Sequence, residues 1–183
     1  AAIRDKGLRI SGLGGDRHLT VATAHDAKQV EQADIVLVQC KGTATREVAL
    51  ATTHLADAGA VFISFQNGIG NEDILAEILG PENVFGGLTS MAGARTGPGQ
   101  IHDFDRVPSY IGEWGGGMSP RAEAIAGAFT AAGLETYASA DIRVEIWKKL
   151  LGNMTMSAVS GVTNLTSAEI LQLDSLRKVC FTA

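Results

Sequence analysis

A line of polar side chains at four-residue spacing, Glu145, Lys149, Asn153 and Ser157, runs through a stretch otherwise rich in Ile142, Ile146, Trp147, Leu150, Leu151 and Met154. Residues four apart share one face of a helix. A lysine and an asparagine one turn apart could therefore point into a common cleft and hydrogen-bond a carbonyl and a neighbouring carboxylate. The same spacing also describes a solvated face with a Glu145–Lys149 surface pair, worth only about 0.3–0.5 kcal/mol. On spacing alone the solvated face is favoured, although such faces usually carry more charge than Asn and Ser supply.

Two other segments offer chemistry. Phe65-Gln66-Asn67-Gly68-Ile69-Gly70 follows a run that reads as a buried strand. Ligands of open α/β sheets bind at the carboxyl ends of strands. Glycines there let backbone approach a ligand, and an asparagine offers both a donor and an acceptor. An ordinary Asn-Gly turn explains the segment equally well. Lys41 follows another strand-like run, 33–40, where an ammonium could meet a cofactor phosphate or ribose; read alone, it is a surface lysine. Gly12-Leu13-Gly14-Gly15 imitates a dinucleotide fingerprint, but no helix pattern follows it, so it reads as a turn between two strands. His18, His25, His54 and His102 lack metal-ligand spacing, and no metal site is expected. No GxSxG or Cys-His arrangement supports a hydrolase.

The elements that must position these residues follow from periodicity. Residues 33–40 and 60–65 are continuous aliphatic runs that suit parallel strands buried on both faces. Between them, 43–58 reads as one helix with Val48, Leu50, Ala51 and Leu55 facing inward, ended by Gly59. A short helix near 72–79 stops at Gly80-Pro81, and 84–91 is a weaker third strand. This alternation predicts half of a doubly wound sheet. Residues 100–104 and 107–112 read as two short strands pairing antiparallel with each other. Ser119-Pro120 opens a helix to Gly133, 134–138 is a last strand, and a long helix covers about 142–157. Thr166-Ser167-Ala168-Glu169 matches a capping box. The expected fold class is α/β, an incomplete Rossmann-type doubly wound sheet followed by the start of an all-helical domain. The expected domains are 1–140 and 141–183.

Composition narrows the class of protein. Of 183 residues, 45% are hydrophobic and 19% charged, with a formal net charge of -5. That balance argues for a globular chain, and an acidic surface repels nucleic-acid phosphates. No apolar run is long enough to span a bilayer. Two widely separated thiols, Cys40 and Cys180, fit a reducing compartment, so a cytoplasmic location without nucleic-acid or membrane partners is expected. The opening AAIRDKGLRI reads as a strand-like interior piece, and SLRKVCFTA reads as the middle of a helix. The sequence is thus expected to be a piece of a longer protein.

Taken in order, these segments resemble the ketopantoate reductase (2-dehydropantoate 2-reductase) family. The likeness is carried by Ala-Asp-Ile-Val-Leu-Val-Gln-Cys-Lys at 33–41, Gln-Asn-Gly-Ile-Gly at 66–70 and Glu-Ile-Trp-Lys-Lys-Leu-Leu-Gly-Asn at 145–153. It covers essentially the whole chain. It implies a Rossmann-type domain followed by a helical domain, with the active site between them. It also implies that Lys149 is the catalytic general acid, donating to the keto oxygen as NADPH delivers hydride. By the same resemblance Asn67 contacts the nicotinamide ribose and helps position the substrate. Asn153 and Ser157 hold the substrate, and Lys41 and Gly68 lie along the cofactor. The implied reaction converts 2-dehydropantoate to pantoate on the route to pantothenate, with a small-molecule 2-keto acid as partner and a homodimer allowed. The sequence departs from the family at Ala44, where many members carry glutamine, and at Ser157, where relatives often have asparagine. The family's glycine-rich loop and NADP-selecting basic residue are expected upstream, and further substrate-binding helices beyond Ala183. The alternatives are a reductase of another 2-keto acid and a non-catalytic remnant that oligomerises. An exposed apolar sheet edge is expected to promote association.

Overall fold

The computed structural model describes residues 2–182. Helix α1 (Ala2–Lys6) leads into an antiparallel hairpin, β1 (Leu8–Gly12) and β2 (Arg17–Leu19). The amide of Gly15 donates to the Gly12 carbonyl at 2.9 Å, so Gly12–Gly15 is a strand-to-strand turn. A β-α-β-α-β segment follows: β3 (Ile35–Val38), α2 (Thr45–Ala51), α3 (Thr53–Asp57), β4 (Val61–Ser64), α4 (Asn71–Leu79) and β5 (Val84–Leu88). The remaining elements are β6 (Ala92–Gly97), β7 (Gln100–Asp105), β8 (Ser109–Glu113), α5 (Pro120–Ala131), β9 (Thr136–Ala138), α6 (Ile142–Thr163), α7 (Ser167–Gln172) and α8 (Asp174–Thr182).

Among the described residues, nine strands form two sheets. The main sheet has the order β3-β4-β5-β8-β9, with β3, β4 and β5 parallel and β8 antiparallel to β5. Alternation along the strands sends side chains to both faces. Val38, Phe62 and Val84 join Ala49, Leu75, Ile142 and Ile146 on one face, under α2, α4 and α6. Ile63, Phe85 and Ile111 pack under Ala122 and Ala126 of α5 on the other. This is a mixed α/β, doubly wound arrangement leading into helices. The second sheet, β2-β1-β7-β6, is small. No helix among the described residues is long and apolar enough to cross a membrane.

Several local expectations are corrected. The chain opens with α1 rather than a strand, and Gly7, at φ +71, turns it into β1. Residues 100–104 and 107–112 do not pair with each other. Segment β7 joins β6 and β1, whereas β8 crosses into the main sheet between β5 and β9. Burial explains the split: Ser109, Ile111 and Gly112 of β8 are buried, while β7 is exposed apart from Asp103. Pro108, which has no amide proton, separates them. The helix expected over 43–58 breaks at Thr52, whose hydroxyl donates to the Val48 carbonyl at 2.8 Å. Its inward residues are Ala49, Leu55 and Ala56, with Val48 half-buried; Leu50 and Ala51 face solvent. Ala49 is fully buried, and Leu50, the next position round the helix, faces solvent. The capping box at Thr166 and Glu169 is formed.

Two features of this core are unusual. Gly86 and Gly112 let α6 lie directly on the sheet: a β-carbon on Gly86 would sit 2.9 Å from Ile142 Cγ2, and one on Gly112 3.0 Å from Ile142 Cβ. Glu72, in the first turn of α4, is fully buried and neither carboxyl oxygen has a hydrogen-bond partner among the described residues. Desolvation raises its pKa above the ordinary 4.5.

Two predictions follow from this packing. Gly86→Val should destabilise the fold by about 1–3 kcal/mol through overpacking against Ile142; urea midpoints measure it, and an unchanged midpoint would mean that α6 does not seat there. A carboxyl whose folded pKa is raised favours folding only while protonated, so its contribution declines as pH rises from its unfolded value through its folded one. Glu72→Gln cannot ionise and should gain about 1–3 kcal/mol over the parent protein at alkaline pH, where the parent carries a buried unpaired carboxylate. The gain should shrink toward acid pH in paired urea titrations.

Candidate active site

The carboxyl ends of β3, β4 and β5 lie side by side and deliver three segments to one edge of the sheet: Gln39–Lys41, Phe65–Gly68 and Thr89–Met91. Helix α6 runs over this edge. Its start is set by Asp141, whose carboxylate accepts from the Val144 amide at 3.3 Å. Its direction is set by Ile142 and Ile146, buried against β5 and β8. Lys149 lies three residues past Ile146 and so emerges on the same side, above the strand ends.

The Lys149 ammonium donates to Asn67 Oδ1 at 2.8 Å and to the Thr89 carbonyl at 2.5 Å. Both acceptors are neutral. Burial therefore lowers the lysine pKa below the ordinary 10.5, with no carboxylate to oppose it. Asn67 commits its oxygen to Lys149, and its NH₂ makes no hydrogen bond among the described residues. Gly68, at φ +94, adopts a left-handed conformation that glycine accepts without strain. It lines a narrow gap with Gln66, Asn67, Lys149 and Asn153. A wider cavity of about 620 Å³ opens beside this gap, bounded by Gln39, Phe65, Asn67, Met91, Lys149 and Asn153.

The sequence-derived candidates thus separate into groups. Lys149, Asn67, Gly68 and Asn153 come together at one cleft. Ser157, one turn beyond Asn153, is exposed and does not border it. Lys41 lies beyond the end of the neighbouring strand β3 (Ile35–Val38), exposed and making no side-chain hydrogen bond among the described residues. The Glu145–Lys149 surface pair is not formed: Glu145 pairs with Lys148 at 2.8 Å, because Lys149 turns inward. Of the six apolar residues assigned to the helix, Ile142 and Ile146 are buried, Leu150 is half-buried, and Trp147, Leu151 and Met154 are exposed.

Sequence reasoning missed several contributors. Thr89 acts through its main-chain carbonyl, which any residue type supplies, so no side-chain signal marks it. Gln39, Ser90 and Met91 border the cleft because strands far apart in sequence end together. Gln66 belonged to the recognised motif, but sequence gives no sign of its hydrogen bonds to the Cys40 carbonyl after β3 and to Thr45 at the start of α2. Among the described residues no cluster of three or more His, Cys, Asp or Glu could hold a metal ion.

The sequence and fold have close parallels. The family model described as ketopantoate reductase PanE/ApbA matches residues 1–116. The 2-dehydropantoate 2-reductase of Archaeoglobus fulgidus is 33% identical over 174 residues, covering 95% of this chain and 56% of the relative. That of Halobacterium salinarum is 30% identical over 171 residues, covering 93% and 56%. The chain therefore spans somewhat over half the length of these curated relatives. Among solved structures, 2-dehydropantoate 2-reductase from Geobacter metallireducens superposes with a TM-score of 0.92 at 28% identity, over 98% of this chain and 60% of that one. The match to residues 1–116 covers well over half of the chain, and on it the chain belongs to the ketopantoate reductase family.

Proposed function

We propose that the protein carrying this chain reduces 2-dehydropantoate to pantoate with NADPH. The observation that supports this most is the half-buried Lys149 ammonium, held by two neutral acceptors above the ends of β4 and β5. The residues present suit the nicotinamide end of a dinucleotide. Apolar Phe65 and Met91 border the cavity beside the amides of Gln39 and Asn67, the combination that an aromatic ring bearing a carboxamide needs. When bound, the dinucleotide supplies the hydride.

In this reading Lys149 donates a hydrogen bond to the keto oxygen of the substrate and polarises the carbonyl. As the carbon accepts the hydride electron pair, the oxygen becomes an alkoxide and takes the proton from Lys149 Nζ, leaving a hydroxyl and a neutral amine. A lowered lysine pKa makes that transfer easier, and the ammonium stabilises the negative charge as it develops. Asn67 keeps Lys149 in place through its oxygen and offers its NH₂ to the ribose or substrate. Asn153 binds the substrate's polar groups. Gly68 allows close approach of the cofactor, and Lys41 lies along it.

Two measurements test this. NADPH consumption with 2-dehydropantoate should fall by about 10²–10⁴-fold in Lys149→Ala, with the far-UV circular dichroism spectrum retained. Full turnover in that variant would remove Lys149 from the mechanism, and turnover with a different 2-keto acid only would redirect the substrate assignment. The second is the pH profile. The general acid must be protonated, so turnover should fall as pH rises through a midpoint below the ordinary 10.5 of lysine. Asn67→Ala removes an acceptor for the charged form and should move that midpoint lower still. A midpoint that ignores residue 67 would argue against the pair.

A further inference from the structure

A chain of buried polar side chains lies behind Asn67. Thr45 is fully buried, and Gln66 and Asn71 are nearly so. The Gln66 amide donates to the Cys40 carbonyl and to Thr45 Oγ1, both at 2.9 Å. The Thr45 hydroxyl donates to Asn71 Oδ1 at 3.1 Å. The Asn71 amide donates to the main-chain carbonyl of Asn67 at 3.3 Å. The path runs from the end of β3, through the first residue of α2, to the first residue of α4, and closes on the residue that receives the Lys149 ammonium. A β-carbon on Gly42 would lie 3.0 Å from Asn71 Oδ1, so the loop after β3 is trimmed to glycine where the asparagine needs room.

Stability alone gives little reason for this arrangement. Well-packed apolar residues at 45, 66 and 71 would fill the same space, and buried polar groups are costly unless every partner is present. The segment they hold does need an anchor. Asn67 is followed by Gly68 and Gly70, both with positive φ, and glycine restrains backbone geometry least. Its side chain is exposed, so no packing fixes it.

We propose that Thr45, Gln66 and Asn71 are positioning residues that act through Asn67: their hydrogen-bonded chain fixes the Asn67 backbone so that its Oδ1 meets the Lys149 ammonium. Thr45 and Asn71 do not border the cleft, and Gln66 meets only its narrow gap, with its side-chain amide turned back to Cys40 and Thr45. The chain also ties the segment just after β3, whose Gln39 borders the cleft, to the same loop. For its kinetic consequence this inference rests on the proposed reductase chemistry; for its structural consequence it does not.

The test uses the complete protein carrying this chain. Thr45→Val keeps the shape but removes the hydroxyl that links Gln66 to Asn71, and Thr45→Ser restores it. Asn71→Ala removes the last link while leaving the Gln66–Thr45 bond, and serves if Thr45→Val does not fold. Two readouts are taken on each. The first is turnover: kcat should drop by about 10–100-fold in Thr45→Val and Asn71→Ala, with KM for the keto acid nearly unchanged and kcat recovered in Thr45→Ser. The second is the titration midpoint of Lys149, read by NMR of labelled lysine side chains and assigned with Lys149→Arg. The charged groups nearest Lys149 on its helix, Glu145 and Lys148, pair with each other, and the other residues bordering the gap are uncharged. A shift therefore reports the loss of the Asn67 acceptor. The midpoint should move down in Thr45→Val and Asn71→Ala and return in Thr45→Ser. A midpoint unchanged in folded variants overturns the positioning role. If the parent protein transfers no hydride while the midpoint still moves, the reductase reading fails and the positioning role stands.

Discussion

An ammonium taken half out of water must recover hydrogen bonds from the protein, and at Lys149 it does so from two neutral oxygens, Asn67 Oδ1 and the Thr89 carbonyl. The absence of a carboxylate among these partners matters. An ion pair would hold the proton firmly on the lysine, whereas neutral acceptors orient the group while burial makes the proton easier to give up. The two acceptors come from the ends of different strands, so the hydrogen bonds exist only if α6, β4 and β5 are mutually placed to within a few tenths of an ångström.

That placement is achieved largely by small residues. Gly86 and Gly112 remove the side chains that would keep α6 away from the sheet, and Ile142 and Ile146 fill the space. Gly87 lies equally close to its neighbours: a β-carbon there would meet the Ser64 carbonyl at 2.7 Å and the Phe65 ring at 2.8 Å. Close packing transmits position because interiors have few voids to absorb a shift. Helix α6 is seated by its first two turns and presents its chemistry from the third. Farther along, Leu151, Met154 and Val162 are exposed, so the sheet contacts rather than the distal turns fix its direction.

The loop facing α6 is built differently. Packing cannot fix an exposed residue flanked by glycine, so hydrogen bonds from Gln66, Thr45 and Asn71 do so from beneath. Directed polar bonds set orientation as well as distance, and in a buried setting they have no water to compete with. The neighbouring Glu72 is the exception. It is as deeply buried as Thr45 but has no hydrogen-bond partner for its carboxyl oxygens among the described residues, and burial keeps it protonated more readily than usual.

Much of this architecture was legible in the amino-acid order. The aliphatic runs at 33–40 and 60–65, the helix stop at Gly80-Pro81 and the capping box at Thr166 are local signals, and the structure carries each as an element, although β3 is an edge strand with Leu37 exposed and is not buried on both faces. The motif around Asn67 and the Lys149–Asn153 spacing placed the candidate residues on the right elements. Local periodicity could not decide which way those elements face. Spacing alone allowed Lys149 to pair with Glu145 at the surface; the seating of Ile142 and Ile146 on Gly86 turned it inward instead. The partner of residues 107–112 was equally undetermined, because strand pairing depends on which edge offers a buried face and not on the strand's neighbours in sequence. Residue types and their spacing thus determined most of the elements and their inventory of polar groups. Only tertiary packing, which brings together atoms 60 and 82 residues apart, decided that an ammonium, an amide and a main-chain carbonyl share one cleft.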